Sequence, residues 1–262
     1  KKVIKEIRKD VLSGYKMNRL IQGDVGSGKT IVALMSILMS IDNGFQSALM
    51  APTAVLAFQH YRSIKEYCKS LNLNISLLTG ATKNSKKKQI IKELSTGEID
   101  IIIGTHALIE DNILFKNLGL VIIDEQHKFG VAQRAKLSQK SMLSPHVIVL
   151  TATPIPRTLA MTFYGDLDVS VIDELPPGRK PIKTVHKFDR DKEGVFLFLK
   201  ERLEFGEQVY IIFPLIEESE KLDYKNLIDG YNYIDKYFSQ FGFVTSMLHG
   251  KMSTEDKDRQ MN

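Results

Sequence analysis

The sequence predicts an α/β fold, a parallel sheet with helices on both faces. Three observations predict it. Short apolar runs alternate with helix-like stretches, several runs are apolar throughout, and a glycine-rich segment joins the first run to the first long helix. Strands buried on both faces of a parallel sheet read as continuous apolar runs rather than as an alternation. Strand–helix alternation is the pattern that right-handed crossovers produce. Strands are expected at residues 19–22, 47–50, 75–78, 99–103, 118–123, 147–150 and 169–172. Helices are expected at 30–43, 53–71 and 83–94. The first of these carries Ile31, Leu34, Met35 and Leu38 at helical spacing and meets a stop signal at Asn43-Gly44.

Residues 175–181 break the pattern, with Pro176, Pro177, Gly178 and Pro181 in a seven-residue stretch. Proline continues neither a helix nor a central strand. The expected organisation is a first domain at 1–175, a linker at 176–181 and a second domain at 182–262. Strand–helix alternation restarts in the second domain, with strands expected at 184–187, 208–213 and 243–248 and helices at 195–205 and 231–241. About three strands are fewer than the five or six usual for such a sheet, so the second domain reads as truncated.

Composition narrows the classes further. The chain has 262 residues, 43% of them hydrophobic and 26% charged, an ordinary globular mixture that excludes a disordered chain. The single cysteine, Cys68, excludes an internal disulfide framework. No apolar run reaches the roughly 18–20 residues that span a bilayer, so no membrane partner is expected, and the Lys-rich start lacks the apolar core of a signal peptide. A formal charge of +5 leans mildly toward polyanions.

Gly23-Asp24-Val25-Gly26-Ser27-Gly28-Lys29-Thr30 matches the phosphate-binding pattern G-x-x-x-x-G-K-[ST] in full. Glycines let the backbone curl until several N–H groups point at phosphate oxygens, and the helix that follows aims its positive end at the same anion. Lys29 is expected to reach the β/γ-phosphates and the Thr30 hydroxyl to ligate Mg²⁺. An apolar strand before the loop and an amphipathic helix after it are the context this motif requires. Val121-Ile122-Ile123-Asp124-Glu125 is an apolar strand ending in two acids. Alone, such a pair is an ordinary solvated strand end. Beside a phosphate loop, Asp124 is expected to hold Mg²⁺ and Glu125 to orient or deprotonate the attacking water, with Gln126 and His127 next to the γ-phosphate.

Thr151-Ala152-Thr153 follows another apolar strand, and Ala51-Pro52-Thr53 and Gly104-Thr105 end two more. Each places hydroxyls and backbone N–H groups on the same sheet edge, where they suit a sugar–phosphate backbone. Taken singly, each reads more readily as a turn or helix cap than as a functional site. A guanine-reading N-K-x-D is absent, which argues against a GTPase. Intact Lys29, Thr30, Asp124 and Glu125 argue against a non-catalytic binding module with a decayed loop.

In order and spacing, these pieces resemble motifs I, Ia, Ib, II and III of the superfamily 2 helicases and translocases. The stretches 22–30, Asp124-Glu125-Gln126-His127-Lys128-Phe129-Gly130, 151–159, 164–179, 213–219 and Leu248-His249-Gly250-Lys251-Met252 are similar to the RecG family of DNA helicases. The resemblance implies a RecA-like motor domain followed by part of a second, driven by ATP with Mg²⁺. It implies action on double-stranded and branched DNA, such as stalled forks and Holliday junctions, in recombination and repair, by a cytoplasmic monomer. The DNA-facing and coupling positions it implies are Pro52, Thr53, Gly104, Thr105, Thr151, Ala152, Thr153, His249 and Gly250. The transcription-repair coupling translocases share residues 23–25 and 151–159 but usually have Glu where this chain has Gln126. Against the RecG pattern, an adenine-reading glutamine would fall before Lys1, and the arginine-bearing motifs V and VI beyond Asn262. The chain therefore reads as a motor fragment expected to bind ATP weakly and hydrolyse it hardly at all.

Overall fold

The first strand, β1 (Asn18–Gly23), lies between two partners from far along the chain, and that placement organises the molecule. The computed structural model describes residues 1–124, 144–153, 167–174, 182–213, 220–250, 252, 256, 259 and 260. Contacts divide the chain into two units, Lys1–Lys180 and Pro181–Asn262.

In the first unit all seven expected strands form: β1, β2 (Gln46–Met50), β3 (Ile75–Leu78), β4 (Ile101–Gly104), β5 (Leu118–Asp124), β6 (His146–Thr151) and β7 (Asp168–Ile172). They make one seven-stranded sheet in the order β3-β4-β2-β5-β6-β1-β7, with every pairing parallel. Side chains alternate between faces along each strand, and both faces are apolar because helices cover both. Leu20, Ala48, Ile102, Val121 and Val149 pack on one face under α4 (Asn84–Thr96). Ile21, Leu49, Ile103, Ile122 and Ile148 pack on the other with α2 (Lys29–Asp42) and α3 (Ala54–Tyr67). Cys68 caps α3 inside this second core, where burial pushes its thiol pKa up.

One helix was not anticipated. α1 (Lys2–Val11) buries only Val3 and Ile7, one turn apart, beneath a lysine-rich surface. Its seat is polar. The Arg19 guanidinium on β1, 7% exposed, donates to Asp10 Oδ2 at 2.6 Å and to Ser170 Oγ on β7 at 2.7 Å, with Glu6 Oε2 at 3.6 Å. The helix is thus fastened to the sheet by a buried ion pair that local periodicity cannot reveal.

In the second unit, α5 (Lys192–Glu204) and α6 (Glu220–Ser239) pack through Phe196 against Tyr233, Tyr237 and Phe238, with ring centroids 4.9–5.7 Å apart. The strands expected at 184–187, 208–213 and 243–248 are not formed. A strand exists only through a ladder partner, and these segments pair with nothing described. Ile212 stands 87% exposed and Val244 96%. No helix among the described residues is long and apolar enough to cross a membrane.

Candidate nucleotide-binding site

The sheet register brings three strand tips together. Gln22 at the end of β1 is opposite Thr151 at the end of β6, and Asp124 at the end of β5 is opposite Leu150. Positions 23–30, Asp124 and 151–153, which lie far apart along the chain, therefore share the carboxyl edge of the sheet. Ligands bind at this edge in open α/β sheets.

The loop between β1 and α2 is shaped by glycine. Gly26 and Gly28 take φ of 79° and 93°, a region that costs a side chain about 1–2 kcal/mol. Gly28 is also the cap residue of α2 and offers no side chain to its first turn, so the leading N–H groups of α2 are left for an anion. Lys29 Nζ donates to the loop's own carbonyls, Gly23 O at 2.8 Å and Asp24 O at 2.9 Å. The ammonium thus lies folded across the loop mouth. Thr30, half-buried, follows on the first turn of α2. Inside the loop, Ser27 Oγ is buried with no hydrogen-bond partner among the described residues. A buried hydroxyl without a partner carries a desolvation cost of about 1–3 kcal/mol, which a bound oxyanion would relieve. These features fit a nucleotide phosphate chain.

Asp124 is 9% exposed at the tip of β5. Its Oδ2 lies 2.7 Å from His60 Nε2 on α3, a residue that was not singled out from the sequence. The one available signal was helical spacing. His60 shares the inward face of α3 with Ala57 and Ile64. Glu125, Gln126 and His127 lie outside the described residues, as does the 176–181 linker.

At the tip of β6 the Thr151 and Thr153 hydroxyls are 2.9 Å apart, and Thr153 N donates to Thr151 Oγ1, with Ala152 between them half-buried. Thr53 caps α3, its Oγ1 accepting from Leu56 N at 3.3 Å, behind Pro52. These two residues sit beside the tip of β4, because Met50 is opposite Gly104 and Ala51 N donates to Gly104 O at 2.9 Å. Gly104 and Thr105 differ from expectation in one respect. Both are buried, with Thr105 3% exposed beneath the 3-10 turn His106–Ile109. A Cβ on Gly104 would collide with Leu78 O, and Thr105 N donates to that same carbonyl at 3.3 Å. They shape the edge from beneath rather than facing solvent. His249 and Gly250 belong to the second unit, half-buried and exposed respectively.

A phosphate-type loop at the carboxyl edge of a parallel sheet, with an acid on a neighbouring strand tip, defines a P-loop nucleotide-binding domain. The sequence pattern of the DEAD/DEAH box helicases matches residues 1–162, more than half of the chain, and the chain belongs to that family. The ATP-dependent DNA helicase RecG of Thermotoga maritima is 50% identical over 263 residues, covering 100% of this chain and 33% of its own length. RecG of Bacillus subtilis is 48% identical over 260 residues, covering 99% and 38%. The structure of RecG bound to a three-way DNA junction superposes with a TM-score of 0.75 at 44% identity, covering 99% of this chain and 33% of that one. Saccharomyces cerevisiae Dbp5 bound to RNA and ADP BeF3 shares the fold, with a TM-score of 0.62 at 18% identity over 93% of this chain and 62% of its own. The chain spans about a third of the length of the curated relatives it matches.

Proposed function

We propose that this chain is the ATP-binding part of a RecG-type motor that remodels branched DNA in recombination and repair, working as a cytoplasmic monomer. One observation carries the reading: about half of its residues, across its whole length, are those of RecG helicases. The geometry of the β1, β5 and β6 tips is consistent with it.

Bound ATP with Mg²⁺ would supply the phosphoryl transfer that powers movement. This chain's part is to position and neutralise charge, which is most of what such catalysis requires. The first turn of α2 and the Ser27 hydroxyl receive phosphate oxygens. Lys29 exchanges the Gly23 and Asp24 carbonyls for the β/γ-phosphates. Thr30 and Asp124 would hold the cation, Glu125 would take the proton of the attacking water, and Gln126 and His127 are assigned to the γ-phosphate. Thr151, Ala152 and Thr153, next to β1, link this site to the DNA side, where Pro52 and Thr53 lie over the edge that Gly104 and Thr105 shape. Within the second unit, which we assign to a second motor domain, His249 and Gly250 are assigned to DNA contact. The DNA contacts are of backbone type, so binding should be salt-dependent and tolerant of sequence.

The test is a nucleotide titration with ATP against GTP, followed by binding of a three-way junction and of linear duplex at rising salt. Preference for ATP, and salt-sensitive binding stronger to the junction, are expected. Tight sequence-selective binding at physiological salt, or preference for GTP, would overturn the proposal. In the same assay Glu125→Gln should keep ATP binding, because the amide preserves shape while losing only the ability to accept a proton.

A further inference from the structure

Helix α3 presents a polar ring to the sheet. His60 lies three residues after Ala57 and four before Ile64, both fully buried, so the helical repeat turns it inward. There it meets the Asp124 carboxylate at 2.7 Å, and each side chain is only 12% exposed. A carboxylate can only accept, so the ring donates through Nε2–H. The bond uses Oδ2 and leaves Oδ1 for another partner.

On the nucleotide-site reading above, we infer that His60 is a positioning residue that holds the Asp124 carboxylate in the orientation that receives the nucleotide's divalent cation. The last torsion of an aspartate is soft and broad. A ring gripped by a packed helix, bonded to one carboxylate oxygen, removes that freedom before any cation arrives. Hydrogen-bond partners that orient a metal-ligating group commonly matter by 10–100-fold in metal affinity. Because Thr53 caps α3, the same bond fastens the Asp124 strand tip to the helix whose first turn lies on the proposed DNA side. Movement of that helix would then be felt at the cation.

The test uses Mn²⁺ as the probe, read by electron paramagnetic resonance in the full chain with a non-hydrolysable ATP analogue. His60→Met, which removes the donor, should weaken Mn²⁺ binding in the nucleotide complex by about 10–100-fold. His60→Gln, whose amide can reach the same oxygen, should restore binding to within about threefold. Nucleotide binding without metal should be unchanged in both. In an Asp124→Ala background, His60→Met should add nothing, because the two residues act as one unit. Thermal melts check folding; if His60→Met does not fold, His60→Asn replaces it, since its shorter amide falls short of Oδ2. Unaltered Mn²⁺ binding in the donor-free variant, an equal loss in His60→Gln, or additivity with Asp124→Ala would each overturn the inference. An unaltered chain that binds no Mn²⁺ with nucleotide would instead overturn the site reading beneath it.

Discussion

The two edges of the seven-stranded sheet treat polar groups in opposite ways. At the amino edge, almost every buried polar group is satisfied. Gln46, starting β2, donates to Leu94 O and Ile99 O at 3.1 and 2.8 Å and accepts from Asn117 N at 3.1 Å. His146, starting β6, accepts from Met17 N through Nδ1 at 2.9 Å. Asp100, before β4, accepts from Asn74 N at 2.7 Å. Arg19, near the start of β1, is tied to α1 and β7. Among the described residues of this edge, Ser47 Oγ is the exception. At the carboxyl edge, Ser27 in the phosphate loop holds a buried hydroxyl with no partner among the described residues, and Lys29 spends its charge on its own loop. The amino edge is built for stability. The carboxyl edge carries unmet hydrogen-bonding capacity that a ligand can use.

Substitutions at the two edges should therefore separate binding from stability. The largest effect is expected at the carboxyl edge. Lys29→Ala should weaken nucleotide binding by about 100-fold or more, since charge-assisted bonds to phosphate are worth roughly 1.5–3 kcal/mol each. The melting temperature should barely move, and a large fall in it would show that the lysine is structural. Next comes the amino edge. Arg19→Met leaves Asp10 and Glu6 without their cation and should cost about 3–5 kcal/mol in a urea titration. The nucleotide affinity of the molecules that remain folded should be unchanged.

Smaller effects sharpen the contrast. Ser27→Ala removes a buried hydroxyl without a partner, so stability should rise by about 1 kcal/mol while nucleotide affinity falls. A fall in both would mean the hydroxyl is already satisfied. The smallest effect is a pH slope at the amino edge. Burial, partly opposed by Asp10 and reinforced by Lys16, holds the His146 imidazole below its ordinary value of 6.5. The folded chain thus refuses a proton that the unfolded chain accepts, so the stability this residue contributes is complete above that ordinary value and is lost as pH falls below it. Urea midpoints at pH 7.5 and 5.5 should differ, and His146→Gln should shrink the difference.

How far these edges could be read in advance depended on the range of the interactions. The strands of the first unit were legible because parallel strands buried on both faces are apolar at every position, as in Val121-Ile122-Ile123. The phosphate loop was legible because its glycines, lysine and threonine act within eight consecutive residues. α1 was not, because only Val3 and Ile7 mark its buried side and the rest of its anchorage comes from Arg19 and Ser170. The apolar segments 208–213 and 243–248 show the converse: strand-like composition produced no strand where no described ladder partner exists.

By itself, then, the order of residues determined the class of fold, the anion loop and the acid after β5, since each rests on periodicity or contiguous spacing. Tertiary structure alone decided which tips meet. β1 and β2 are consecutive in the chain yet separated in the sheet by β5 and β6. That separation puts Asp124 and Thr151 beside the loop and Thr53 next to Gly104. It likewise decided that Thr105 is buried and that His60 holds Asp124 across 64 residues of chain. Hydrogen bonds between distant segments have no period and no local spacing, so they exist only once the sheet has chosen its strand order.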